Sequence, residues 1–166
     1  MKNINKVLEK LFIYLRSKMK AKHGRHVSMG DLFSDRWETA QFLGFGEGTS
    51  CYNNVLVLGD VTVGKNTWIG PNVILDGSGG ELVIGDYCSI SAGVQIYTHD
   101  SVAWSTSLGT ENVAKAPTEI GNGVYIGPNT IIQKGITIGD QVVIGAMSFV
   151  NKNVQSNRKV FGIPAK

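Results

Sequence analysis

One histidine stands where a proton acceptor is wanted. His99, in the segment Tyr97-Thr98-His99-Asp100, is the only histidine beyond the N-terminal arm, which holds His23 and His26. An imidazole titrating near neutrality can take a proton from a hydroxyl or amine as that group attacks a carbonyl carbon. A solitary histidine is more often just a solvated surface residue, so its surroundings decide the reading. Its neighbours are small and polar, and two carboxylates, Asp100 and Glu119, are candidates to orient the ring. Cys51 and Cys88 read as small buried apolar residues instead of nucleophiles.

The elements that must position His99 follow from a six-residue period. From Ile120 an aliphatic residue returns at Ile126, Ile132, Ile138, Ile144 and Val150, with Val124, Thr130, Ile136, Val142 and Ser148 four places after the first five. A helix repeats at 3.6 and a strand at 2, so neither explains six. Such a period reads as a solenoid whose repeats are the flat sides of a coil. The register begins earlier, at Phe45, Cys51, Val57, Val63, Ile69 and Leu75, and resumes at Ile84, Ile90 and Ile96. Grouped in threes, the hexads make five coils, a column about 24 Å tall at the usual strand spacing of about 4.8 Å. Both interruptions, three extra residues at Gly77–Gly80 and eighteen between Tyr97 and Glu119, follow the third hexad of a coil. They therefore emerge at one corner, one coil apart, and loops on a rigid scaffold are where function concentrates. His99 opens the larger of them.

Residues 1–44 read as an arm and cap, and 45–166 as the repeat array with loop 97–119 inserted. In residues 1–22, Ile4, Leu8, Leu11 and Leu15 form a stripe, flanked by Val7, Phe12 and Met19, with Lys2, Lys6, Lys10 and Lys20 largely opposite. The stripe suits packing on the solenoid or a sister subunit, or lying on an anionic membrane surface. Asp31 or Ser34 is expected to cap a short helix through Trp37, Ala40 and Phe42. The chain carries a net charge of +3. Residues 1–26 hold eight Lys/Arg against Glu9, whereas the rest is net acidic. Basicity thus belongs to the arm, and no nucleic-acid partner is expected of the array. No secretory signal or membrane span is visible, and a cytoplasmic setting is the expectation.

The hexads, Tyr97-Thr98-His99-Asp100, the restart Thr118–Ile132 and the terminal Phe161–Lys166 together resemble the hexapeptide-repeat acyltransferases. The similarity spans roughly residues 45 to 166 and is nearest to the galactoside, maltose and polysaccharide O-acetyltransferases. It implies a left-handed parallel β-helix, a homotrimer, acetyl-CoA as acyl donor and a sugar, polysaccharide or nucleotide-sugar acceptor. His99 matches the family's general base. Gly127, Pro128, Ala146, Asn151, Lys152 and Lys166 match its coenzyme groove, where the lysines can meet phosphates as point charges. Asn72 and Asp76 fall on the acceptor side, although the family's asparagine does not align cleanly. Trp104 can stack on a sugar ring or pin the loop to a neighbouring subunit.

The expected activity is O-acetylation. Transfer to the amine of a nucleotide sugar is the alternative, and a structural or binding β-helix the non-enzymatic one. A zinc carbonic anhydrase of this architecture needs three histidines about the metal. The array holds one, so no metal site is expected.

Overall fold

The computed structural model describes residues 2–166; Met1 of the expected arm lies outside the described residues. Helix α1 (Lys2–His23) leads to α2 (Gly30–Phe33) and α3 (Arg36–Phe42), and the β-helix follows. The third helix is capped by Asp35, whose carboxylate accepts from the Trp37 and Glu38 N–H groups, and not by either expected residue. Asp31 is buried elsewhere, accepting from the Asn53 N–H at 3.0 Å and the Ser28 hydroxyl at 2.6 Å. Ala40 is buried, and its carbonyl accepts from the Phe45 N–H, so α3 closes the lower end of the stack.

The hexads form a left-handed parallel β-helix with three faces. Val63, Ile84, Ile120 and Ile138 stack on the first face. Cys51, Ile69, Ile90, Ile126, Ile144 and Val160 stack on the second, and Val57, Leu75, Ile96, Ile132 and Val150 on the third. The strands Leu56–Val63 and Ile74–Ile84 run unbroken around the corner from the third face to the next coil's first face.

The second face has six strands, one more than the five coils expected. Its last member, Val160, pairs with Ile144, and Val154 bridges Ile138. The final coil is two residues shorter than the others, so the sixfold register loses it.

Inward positions explain the residue types. Ile126, Ile132 and Ile144 are fully buried, each side chain worth about 1.5–3 kcal/mol on removal from water. Their small companions must also be satisfied. Buried Thr67 and Thr130 donate to the Gly85 and Gly145 carbonyls at 2.9 and 3.0 Å. No described buried side-chain N or O lacks a partner. Burial also raises both thiols, Cys51 to about 12, which keeps them protonated and inert.

The outer side of α1 is largely uncovered. Ile4, Val7, Leu8 and Leu11 are exposed, and only Phe12, Leu15 and Met19 of the stripe are half-buried. Packing of the stripe on its own solenoid is therefore not what the chain does. No described helix is long and apolar enough to cross a membrane.

Candidate active site

The corner after the third face carries the candidate site. Below it, the coil from Leu75 to Ile84 runs out through Asp76-Gly77-Ser78-Gly79-Gly80. Above it, the chain leaves as an antiparallel pair, His99–Asp100 with Ala114–Lys115, closed by α4 (Val102–Thr106). The two excursions touch. The Gly79 N–H donates to Thr98 Oγ1 at 2.9 Å, and that hydroxyl donates to the Asp76 carbonyl at 2.8 Å. A Cβ on Gly79 would lie 2.5 Å from the His99 Cβ, so only glycine lets the lower loop pass beneath the histidine.

His99 and Asp76 form the centre. The Nδ1 atom of His99 lies 3.3 Å from Asp76 Oδ2, with the imidazole about a third exposed and the carboxylate buried. Asp76 Oδ1 accepts from the Ser78 N–H at 2.9 Å and from the Ser78 hydroxyl. Ser78 Oγ is also 3.4 Å from His99 Nδ1. Among the described residues every polar contact of the ring falls on Nδ1, which leaves Nε2 for an incoming group. A carboxylate against Nδ1 favours the tautomer with its proton there and a lone pair on Nε2.

The sequence left the orienting carboxylate open between Asp100 and Glu119. The geometry gives that place to Asp76, which the resemblance had set on the acceptor side. Asp100 instead pairs with Lys134 at 2.6 Å, and the Lys134 hydrogen bond, aided by the Val102 N–H, holds its carboxyl below the usual range. Glu119 faces outward on the first face, paired with Val83 and Thr137.

His99 opens on a cleft of about 710 Å³ lined by Ser78, Trp104, Asn112, Val113 and Lys115. Trp104, which the sequence placed in the large loop, lines this cleft. Ser78, Asn112 and Lys115 were missed; the displaced Gly77–Gly80 stretch was the available signal for Ser78.

Asn72 is not in this cleft. It turns the corner between the second and third faces, with a φ of 58°, and accepts from the Asn54 side chain at 2.8 Å. Gly127-Pro128 and Ala146 lie at that same other corner. A Cβ on Gly127 would fall 2.5 Å from the Ala146 nitrogen, so they stack as expected from their spacing of one coil. Asn151 and Lys152, both exposed, follow Val150 on the His99 corner, higher up. Lys166 is exposed at the terminus, its backbone joined to Phe161. One chain thus holds the expected residues at two separate corners of its prism. No cluster of three or more His, Cys, Asp or Glu side chains able to hold a metal occurs among the described residues.

Fold and site together define a left-handed β-helix protein with a His–Asp pair at an interrupted corner. Residues 60–98 match the hexapeptide repeat of succinyl-transferase and residues 117–152 the bacterial transferase hexapeptide. The chain belongs to the hexapeptide-repeat family. It is 31% identical over 115 residues to galactoside O-acetyltransferase of Escherichia coli (strain K12), covering 68% of this chain and 46% of that protein. A galactoside acetyltransferase structure in complex with coenzyme A superposes with a TM-score of 0.69 at 26% identity, covering 96% of this chain and 80% of that one. A maltose O-acetyltransferase structure from Clostridium difficile 630 gives 0.62 at 27% identity, covering 96% and 86%. The chain spans about half the length of the curated relatives it matches.

Proposed function

We propose that this protein transfers an acetyl group from acetyl-CoA to a hydroxyl of a sugar or polysaccharide. The observation that carries the reading is the His99–Asp76 pair, with His99 lining a cleft that Trp104 also lines. Asp76 holds the Nδ1 side of the ring, and Nε2 takes the hydroxyl proton as the acceptor oxygen attacks the thioester carbonyl. The new C–O bond forms, the C–S bond breaks, and the proton returns to the departing CoA thiolate. No covalent enzyme intermediate is required, and both thiols are buried and protonated.

The donor residues fit an extended pantetheine. Gly127 packs at backbone distance on Ala146, which keeps the two positions in line along one corner where an extended ligand can run. Lys152 and Lys166 are exposed cations that can meet phosphates. Because Gly127, Pro128 and Ala146 occupy a different corner from His99, a complete groove is assembled between chains, which supports a homotrimer with three equivalent sites. In this reading residues 1–44 serve as arm and cap to the array at 45–166. The uncovered α1 stripe then rests on a sister subunit or, through its lysines, on the anionic inner face of a membrane. Deleting residues 1–22 separates these: loss of the trimer marks the first, an intact trimer with lost vesicle binding the second.

The test is release of free thiol from acetyl-CoA with a panel of sugars and nucleotide sugars. Turnover with hydroxyl acceptors is expected. Acetylation of amino sugars alone transfers the assignment to N-acetylation. No turnover and no CoA binding by calorimetry sinks it.

A further inference from the structure

We infer that the acceptor carries an anionic group, a carboxylate or a phosphate, which Lys115 recognises beside His99; this rests on the acyl-transfer reading above. His99 and Lys115 are direct partners across the antiparallel pair. Such partners project their side chains to one face of the ribbon, Cβ atoms about 4.5–5.5 Å apart. Both line the same cleft, with Trp104 and Asn112.

The charged groups nearest His99 on the two excursions are paired. Lys134 takes the Asp100 carboxylate at 2.6 Å, and the buried Asp76 is held by Ser78 and His99. Lys115 alone of these groups is exposed and makes no ion pair among the described residues. An unpaired ammonium here opposes the proposed chemistry, since a neighbouring positive charge disfavours the imidazolium that proton transfer creates. An anion on Lys115 removes that opposition and fixes the acceptor in one step. Trp104 then takes the apolar face of the sugar ring and the Asn112 amide a ring hydroxyl.

The experiment uses the full chain with three probes: glucuronate, glucose 6-phosphate and methyl glucoside. Binding is read from tryptophan fluorescence, with Trp104→Phe to assign the signal, and acetyl transfer from thiol release. At low salt an anionic sugar is expected to bind about tenfold tighter than the neutral one, the worth of a charge-assisted hydrogen bond. The preferred anion distinguishes a uronate from a sugar phosphate. Lys115→Met should erase the preference, Lys115→Arg should retain most of it, and added salt should shrink it. Equal binding of all three probes, binding of none, or a preference that survives in Lys115→Met overturns the inference. If the preference holds but no acceptor releases thiol, anion recognition stands and the acetyl-transfer reading falls.

Discussion

The first and third corners of the prism are built on opposite plans. At the first, each coil turns through one residue in the left-handed region: Gly48, Asn66, Tyr87, Gly123, Gln141 and Asn157. The turn is the same length each time, and Gly85 packs so closely on Gly121 that an added Cβ would sit 2.8 Å from its carbonyl oxygen. At the third corner one strand turns at Gly59, the strand above it carries three extra residues around Gly77–Gly80, and the next coil throws out a long hairpin. Yet Leu75 still stacks on Ile96, and Ile84 on Ile120. Where every coil must turn alike, backbone contact fixes the sequence. Where the strands on either side are already locked, lengthening the connection costs little, because closure entropy grows only with the logarithm of length. The stack depends on the first corner, and the third is free to carry chemistry.

Three substitutions set the two corners against each other. The largest effect is expected from His99→Ala, which removes the proposed base and should lower kcat by about 10²–10⁴-fold. Its melting temperature should hardly move, since the ring supports no coil. A variant with near-wild-type kcat refutes the base assignment. Gly85→Val should do the reverse. Its side chain meets the backbone of the next coil, and overpacking of this kind costs about 1–3 kcal/mol. Chemical denaturation should show that loss, while acetyl-CoA KM of the folded fraction stays put. A stable Gly85→Val protein would mean the first corner is no stricter than the third.

The smallest effect concerns the pair flanking the site. Lys134 depresses the Asp100 carboxyl, so the pair adds stability above the ordinary carboxylate pKa and loses it as pH falls through the lowered one. Both side chains are partly solvent-exposed, which keeps the contribution small. Lys134→Ala should slightly lower stability at neutral pH and match wild type in strong acid. An unchanged difference between the two proteins across that range would show that the pair is not responsible.

The six-residue period determined by itself the face on which each aliphatic residue lies, and where the stack is interrupted. It did so because parallel coils repeat the same burial at the same spacing, and Ile126 and Ile144 must each fall inward. It did not extend to the last coil, where two missing residues put Val154 and Val160 out of register while hydrogen bonding to the coil below kept them in place. His99 stood out because the array holds no other histidine. Asp76 as its partner was beyond the sequence, since the two are separated by a full coil and meet only when Gly79 lets one loop pass under the other. The same holds for Lys115, brought opposite His99 by a hairpin that no hexad predicts. Periodic burial is written locally; the meeting of two irregular loops is decided by the stacking between them.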